Sequence, residues 1–394
     1  MARAMISLEA AQSQLLALVR PLPAETVPLI GATGRWAAED VVAKRTQPAR
    51  PLSAMDGYAM ATGSTGPWRV IGESAAGRPF AGNVAAGEAV RIFTGAAVPL
   101  GADAVVIQEN VERDGDVIRV AANNLPAAGR NIRREGSDFR AGDTLVSAGE
   151  RLTPARIALA AGGGYGQLPV RRRPRVALIA TGDELVPPGV ETGADFLPES
   201  NTPMIIAMFQ DLQCNINRIG IISDNMSKLV EAIRSVDADL LITMGGASVG
   251  DHDLVRPALE QCGASLDFWK VAMRPGKPVM AGQLDGMIVL GLPGNPVSAF
   301  VTALLFARPV ISALGGARDP LPRRVAMRLA IPLRANGDRT DHLRATLTPE
   351  GVRPIGPDDS AAMGGLAAAD CLIVRPPAAP PANAGDDVSV ILLA

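Results

Sequence analysis

The middle of the chain alternates between short apolar runs and amphipathic stretches. The run VALIATG at 176–182 is almost continuously apolar and ends in glycine, which predicts a buried parallel strand. The stretch that opens at Ser200 has helical periodicity, with Asn201 or Thr202 as its predicted cap. The same alternation continues through the predicted strands INRIGIIS, DLLITMGG, FWKVAM and MIVLGL, and through the predicted helices NMSKLVEAIRSV, HDLVRPALEQCG and VSAFVTALLFA. Strands separated by helices predict a doubly wound, mostly parallel α/β domain.

The flanking regions show different patterns and predict further domains. The first segment opens with an amphipathic helix whose N-cap is Ser7. A β-rich region follows the Pro-broken segment QPARPLS and contains a hairpin at RDGD, 113–116. Short strands return near the C-terminus and predict a small β-barrel or sandwich. The expected domains are a mostly helical, discontinuous domain at 1–46 and 138–173, a β-rich domain at 47–137, the α/β domain at 174–317 and a β domain at 318–394.

Composition excludes several functional classes. The 394 residues suffice for two to three domains of ordinary size. With 38 Lys and Arg against 40 Asp and Glu, the formal net charge is −2, which argues against binding of bulk nucleic acid. Aromatic residues make up 3% of the chain, too few for a series of stacking platforms for single-stranded nucleic acid.

Histidine and cysteine are scarce. The only histidines are His252 and His342, and the three cysteines are far apart in sequence, so neither a zinc knuckle nor a CxxC pair is present. We therefore expect chemistry based on carboxylates, backbone amides, Arg and Lys. Scattered thiols are typical of a reducing cytosol. No secretory signal is evident, and the apolar run Ala299–Ala307 is shorter than the roughly 20 residues needed to span a bilayer.

Three loops follow strand ends in the predicted α/β domain, at 181–184, 245–253 and 291–298. Ligands of open parallel sheets bind beyond the carboxyl ends of the strands, so these loops should converge. Their glycine-rich backbone and the helices that follow suit a phosphate-bearing ligand. Each loop alone is also compatible with an ordinary tight turn.

The first two of these loops contain the carboxylates Asp183, Glu184, Asp251 and Asp253, and Asp224 ends the predicted strand INRIGIIS. Acids near a phosphate site favour a bridging divalent cation, and an oxygen-only ligand set suits magnesium. Helix capping is the competing interpretation for Asp224 and Asp253. Glu184 is harder to explain as a cap.

An ordered set of motifs resembles one family over essentially the whole chain. The motifs are SAMDGYA, FTGAAVPLGADAVV, GRNIRREGSDFRAGD, ATGDEL, GGASVGDHD, RPGKP and GLPGNPVSA. They resemble the molybdopterin molybdenumtransferase family, the molybdenum insertases related to the E domain of gephyrin. The α/β motifs are shared with the smaller molybdopterin adenylyltransferase, whereas SAMDGYA and the additional β domains distinguish the two.

The resemblance implies a fold and a reaction. The helical domain would be elongated, the 47–137 domain would be inserted in it, and the C-terminal domain would be a β-barrel. The enzyme would convert adenylylated molybdopterin and molybdate into molybdenum cofactor and AMP, with Mg²⁺ required. It would be a cytoplasmic homodimer whose active site lies between the α/β domain of one subunit and the SAMDGYA domain of the other. Molybdopterin adenylyltransferase is a possible further partner.

The expected site residues, taken from the family resemblance and from the phosphate-binding interpretation of the loops, fall into three groups. The implied catalytic residues are Asp56, Thr94, Asp138 and Glu184. The implied metal ligands are Glu184, Asp224 and Asp253. The residues expected to bind substrate are Gly245, Gly246, Ser248, Gly250, Arg274, Lys277, Pro293, Gly294, Asn295, Pro296 and Ser298.

Two other functions stay open at this stage. One is a molybdopterin adenylyltransferase acting alone, which would not need the additional β domains. The other is a non-catalytic cofactor carrier or scaffold, which would tolerate loss of Asp56 or of the carboxylates.

Overall fold

A computed structural model of the protein describes residues 5–245, 254–356 and 362–393. The chain divides into two compact units, here called unit 1 and unit 2. Unit 1 consists of residues 1–39, 148–152 and 169–394, and unit 2 consists of residues 40–147 and 153–168. The finer division into four domains stays a prediction.

The first segment of unit 1 is less helical than its sequence predicts. Its elements are α1 (Leu8–Leu18), β1 (Ala24–Pro28) and α2 (Leu29–Ala32). Ser7 caps α1 as predicted, because its side chain accepts a hydrogen bond from the backbone N–H of Ala10 at 3.1 Å. Leu8 and Leu15 on the buried face of α1 belong to the main apolar core of unit 1.

Unit 2 is built on a six-stranded sheet with the order β7-β4-β6-β5-β9-β8. Its elements are β2 (Val41–Val42), β3 (Leu52–Ser53), β4 (Gly57–Met60), β5 (Trp68–Ser74), β6 (Glu88–Ile92), β7 (Ala104–Ile107), β8 (Val111–Asp114), β9 (Val117–Val120), β10 (Ile132–Arg133), β11 (Thr144–Val146) and α3 (Pro154–Gly162). The hairpin predicted at RDGD is confirmed, since Asp114 pairs with Val117. The mostly helical prediction for 138–173 is wrong in extent, because the nine-residue α3 is the helix that the structure contains there.

The rest of unit 1 begins with an α/β sheet of order β16-β13-β17-β21-β20-β18. The elements are β12 (Gln167–Arg171), β13 (Arg175–Thr181), β14 (Leu185–Val186), β15 (Leu197–Pro198), α4 (Asn201–Phe209), β16 (Asn215–Ile222), α5 (Met226–Arg234), β17 (Leu240–Met244), α6 (Val255–Gln261), β18 (Ser265–Lys270), β19 (Met273–Arg274), β20 (Pro278–Leu284), β21 (Met287–Leu292), α7 (Pro296–Thr302) and α8 (Arg308–Leu314). The first four strands of the sheet are parallel, while β20 and β18 are antiparallel to their neighbours.

Helices cover both faces of this sheet. Along β13, Val176 and Leu178 belong to the core that contains residues of α4, α7 and α8, whereas Ala177 and Ile179 belong to the core formed with α5 and α6. This alternation follows from the two-residue period of a strand. The doubly wound arrangement predicted from the sequence is therefore present, with β20 as an unpredicted strand.

The last helical stretch of the α/β region runs beyond Ala307, where the predicted helix VSAFVTALLFA ends. A π-helical turn at Ala303–Ala307 joins α7 to α8, so the stretch continues to Leu314. Pro309 has no backbone N–H, which leaves the carbonyl of Leu305 without its usual helical donor. The side chain of buried Gln12 replaces it, with Nε2 donating to that carbonyl at 2.9 Å.

This stretch is also the one described helix that is long and apolar enough to cross a membrane. It has 19 residues, and 83% of its apolar window is buried inside the protein. Its apolar side chains therefore pack in the core of unit 1.

The C-terminal part of unit 1 is a curved sheet. Its elements are β22 (Val325–Arg328), β23 (Thr340–Thr348), β24 (Gly351–Pro354), α9 (Met363–Ala367), β25 (Cys371–Arg375) and β26 (Asp387–Leu392). The strands pair in the order β24-β23-β25-β26-β22. A single bridge between Leu329 and Val352 connects the two ends of this series.

Candidate functional site

The described parts of the three glycine-containing loops, which for the second loop means Gly245, meet at one edge of the α/β sheet. Strands β13, β17 and β21 are parallel neighbours, so their carboxyl ends lie together. Gly245 follows β17 with φ at +92°, and a Cβ there would lie 2.7 Å from the carbonyl oxygen of Thr181. A Cβ on Gly294 would be 3.8 Å from the Cα of Gly245. Only glycine allows the first of these approaches.

A cleft of about 980 Å³ opens at this edge. Ten of the predicted site residues line it, namely Glu184, Asp224, Gly245, Arg274, Lys277, Pro293, Gly294, Asn295, Pro296 and Ser298. Gly246, Ser248, Gly250 and Asp253 lie outside the described residues. Everything described in this cleft belongs to unit 1.

Glu184 and Asp224 supply carboxylates to the cleft. A Cβ on Gly182 would lie 2.5 Å from Oε2 of Glu184, so the carboxylate fills the space beside that glycine. The capping interpretation of Asp224 is wrong, because Asn225 caps α5 by accepting from the backbone N–H of Lys228 at 3.1 Å. The backbone N–H of Asp224 instead donates to Asp183 Oδ1 at 3.0 Å, which ties two loops together.

Cationic side chains line the same cleft. Arg274 and Lys277 flank a turn in which Gly276 has φ at +95°. A Cβ on Gly276 would lie 2.5 Å from Cγ2 of Thr302, so the turn packs closely against α7. Arg339 also lines the cleft and was not singled out by the sequence, since it stands far along the chain in a region of ordinary turns.

The donor set fits magnesium in part. Within the described residues, no group of three or more His, Cys, Asp or Glu side chains could hold a metal ion. Glu184 and Asp224 nevertheless line the cleft together. Magnesium is usually bound by one or two carboxylates plus substrate phosphates, so these two acids suit it when phosphates are present.

Unit 2 contains a separate cluster around Asp56. Oδ1 of Asp56 accepts hydrogen bonds from the backbone N–H of Thr94 at 2.7 Å and from its hydroxyl at 2.8 Å. These bonds, helped by the positive charge of Arg91, hold the pKa of Asp56 below its usual value. Asp56 is therefore ionised at neutral pH.

Two neighbours fix the loop that carries Asp56. Gly57 begins β4, and a Cβ there would lie 1.8 Å from the carbonyl oxygen of Val106. Arg91 donates to the carbonyl of Gly57 at 3.0 Å, and its guanidinium lies 5.2 Å from the ring centroid of Tyr58 and 4.8 Å from that of Phe93. The sequence analysis missed Arg91, although the pairing of EAVRI with SAMDGYA would have indicated it.

Asp138 lies elsewhere in unit 2. It is exposed, and its backbone N–H donates to the carbonyl of Gln47 at 3.1 Å. Among the described residues, no hydrogen bond joins Asp138 to Asp56. The structure therefore brings together Asp56 and Thr94 in this unit and leaves Asp138 as a predicted site residue.

Comparisons with protein families cover most of the chain. Residues 6–164 match the MoeA N-terminal region (domain I and II). Residues 177–313 match a probable molybdopterin binding domain, and residues 326–393 match the MoeA C-terminal region (domain IV).

Curated proteins and solved structures give the same result. The chain is 36% identical to molybdopterin molybdenumtransferase of Haemophilus influenzae over 322 residues, 80% of this chain and 79% of that protein. It is 36% identical to the Synechococcus elongatus protein of that name over 377 residues, 91% of this chain and 92% of the relative. A crystal structure of molybdopterin biosynthesis MoeA protein from Pyrococcus horikoshii OT3 matches with a TM-score of 0.83 and 26% identity, over 99% of this chain and 100% of that one.

Proposed function

Because the chain belongs to the molybdopterin molybdenumtransferase family, we propose that it inserts molybdenum from molybdate into adenylylated molybdopterin and releases AMP. The observation that carries the proposal is the cleft of unit 1, where three carboxylates and three cationic side chains line one space beside glycine loops. A ligand that combines phosphates with a metal requires both signs of charge.

The residues of the cleft have separate tasks in this reaction. Lys277 and Arg274 bind the substrate phosphates, Lys277 as a point charge and Arg274 through its fork of donors. The glycine loops add backbone N–H groups. Glu184 and Asp224 would hold Mg²⁺, which would supply positive charge to the phosphoanhydride that is cleaved when AMP is released. Molybdenum arrives as substrate and is ligated by the dithiolene sulfurs of the pterin.

Asp56 and Thr94 complete the proposed site from a second subunit. We propose a homodimer in which unit 2 of one copy faces the cleft of unit 1 of the other copy. A closed two-fold dimer then contains two equivalent sites. We also propose that Asp138 and Asp253, an acid outside the described residues, act at this site. The same proposal includes a cytoplasmic location and four domains, of which the C-terminal one is a β-barrel. It also includes molybdopterin adenylyltransferase as a partner.

The release of AMP tests this function directly. Purified protein is mixed with adenylylated molybdopterin and Mg²⁺, with and without molybdate, and both AMP and molybdenum cofactor are measured. Wild type should produce both when molybdate is present, whereas Asp56→Asn should remain folded and produce neither. Folded wild-type protein that forms no AMP and no cofactor would overturn the proposal. Formation of adenylylated substrate from ATP and molybdopterin would indicate the adenylyltransferase instead.

A further inference from the structure

Glu199 is a buried carboxylate that lines the cleft. Glu199 as a whole is 4% exposed, and its Oε1 accepts a hydrogen bond from the backbone N–H of Thr202 at 2.9 Å. No cationic side chain pairs with Glu199 in the described part of the chain. Glutamates are almost never fully buried unless they are paired, so this acid needs an explanation.

Helix capping explains only one of its two oxygens. Ser200, at the N-cap position of α4, makes no side-chain hydrogen bond to the helix, and Glu199 takes over that task through Oε1. Oε2 has no hydrogen-bond partner among the described residues. The carboxylate therefore retains an acceptor that α4 does not use.

Asn201, two residues later, adds a second unused acceptor. Asn201 is 9% exposed, and its Nδ2 donates a hydrogen bond to the carbonyl of Gly294 at 2.7 Å. Because a carbonyl oxygen only accepts, the nitrogen of the amide must face Gly294, which fixes the orientation of the side chain. Oδ1 has no partner in the described structure. Buried acceptors without partners are rare and require a specific reason.

Glu199 and Asn201 at the start of α4 thus offer hydrogen-bond acceptors to the cleft. Arg274 and Lys277 supply hydrogen-bond donors elsewhere in it. A carboxylate is complementary to two adjacent N–H groups, as its pairing with the arginine fork shows. In a pterin, a ring N–H stands beside an exocyclic amine and provides such a pair. Adenine places its amine between ring acceptors and does not.

We propose that Glu199, assisted by Asn201, forms the subsite for the pterin end of the substrate and accepts hydrogen bonds from its paired N–H donors. The inference rests on the proposed function, because that function supplies a pterin and a nucleotide as competing occupants of the cleft. It also gives Glu199 a role in substrate specificity that is separate from the proposed catalytic acids.

The experiment compares two heterocycles on two proteins. Pterin and lumazine differ at one position, where lumazine carries an oxygen in place of the amine. Their binding to wild type and to Glu199→Gln is measured by fluorescence titration, with AMP as a third ligand. The glutamine keeps an oxygen for the N–H of Thr202 and places an amide donor where Oε2 stood. Wild type should bind pterin at least about tenfold more tightly than lumazine, and Glu199→Gln should lose this preference.

AMP serves as the internal check that the variant cleft is intact. Its affinity should be unchanged in Glu199→Gln, and Glu231→Gln on the exposed side of α5 should behave as wild type with all three ligands. Equal weakening of pterin and AMP, or an unchanged pterin preference in Glu199→Gln, would show that Glu199 is only a cap. Should that variant fail to fold, the comparison of pterin with lumazine on wild type still tests the inference, because equal affinities would overturn it. Release of AMP by wild type tests the proposed function independently of these results.

Discussion

Asp56 and Thr94 are joined through a single carboxylate oxygen, which accepts from both the backbone N–H and the hydroxyl of the threonine. Oδ2 of Asp56 has no hydrogen-bond partner within the residues that the structure describes. The threonine thereby fixes the orientation of the carboxylate and leaves one oxygen available to a reactant. This relationship gives a prediction for the bond from the threonine hydroxyl.

Replacing Thr94 with valine should move the acidic limb of the activity profile to higher pH. The variant loses the hydroxyl bond and keeps the backbone bond, so the lowered pKa of Asp56 should rise towards its usual value. The ionised form is then lost sooner as the pH falls. Turnover near neutral pH should fall about fivefold through looser positioning of the carboxylate. Thr94→Ser keeps the hydroxyl and should retain the wild-type profile, and an unshifted limb in Thr94→Val would contradict the role of that bond.

Mixing two inactive variants tests the shared site. If each site takes Asp56 from one subunit and Glu184 from the other, a mixed dimer of Asp56→Asn and Glu184→Gln contains one intact site. Each mixed dimer should then recover about half of the wild-type activity. Subunit exchange is confirmed with two differently tagged chains. No recovery after confirmed exchange would mean that both residues serve the same chain's site.

The Mg²⁺ concentration needed for AMP release should change when Asp224 is replaced. Removing one of two carboxylates weakens a site of hard oxygen ligands, so Asp224→Asn should need about tenfold more Mg²⁺ for half-maximal AMP release. Asp285→Asn is a matched control, because Asp285 is exposed in the turn between β20 and β21, with a positive φ that Asn tolerates. An identical Mg²⁺ titration in wild type and Asp224→Asn would exclude Asp224 as a ligand.

The hydrogen bond from Gln12 to Leu305 should contribute to stability. Gln12→Leu leaves a buried carbonyl unsatisfied, and urea unfolding should show a loss of about 1–3 kcal/mol. The exposed Gln14→Leu is the control. In a Pro309→Ala background, the restored N–H can serve the same carbonyl, so Gln12→Leu should cost less there. Equal costs in both backgrounds would contradict the explanation.

His342 should make stability depend on pH. Burial lowers its pKa from 6.5 to about 4. The unfolded chain therefore takes up a proton below pH 6.5 that the folded protein refuses until about pH 4. Stability should fall over this window by up to about 3 kcal/mol. His342→Phe should remove this contribution, which is measured by urea unfolding at pH 7 and pH 4.5, and an unchanged difference between the two pH values would contradict it.

The sequence predicted the meeting of the three loops because parallel strands must end at the same edge. It missed β20, since PVMAGQL directly follows a turn motif and its antiparallel pairing with β21 is a tertiary feature. The competing interpretation of Asp224 as the cap of α5 was one residue too early, because Asp224 and Asn225 are both good caps and only geometry separates them.

The remaining differences between the sequence predictions and the structure arise from contacts between residues that are far apart in the chain. Pro309 is an ordinary signal for a helix end, and the partner that overrides it stands 293 residues away from Leu305. Glu199 and Arg91 likewise depend on neighbours from other elements. A pattern along the chain cannot show that a side chain is buried beside a cleft or held between two rings.

The π-helical turn at Ala303–Ala307 sets the rotational phase between α7 and α8. One residue of an α-helix corresponds to a rotation of about 100°, and a π turn contains about one residue more than an α turn. Ser298 at one end therefore faces the cleft, while Arg308 at the other end forms its bidentate pair with Asp211. If this turn became α-helical without losing a residue, Arg308 would rotate by about 100° away from Asp211. The extra residue in this turn is thus accommodated by local widening of the helix, which keeps Arg308 opposite Asp211.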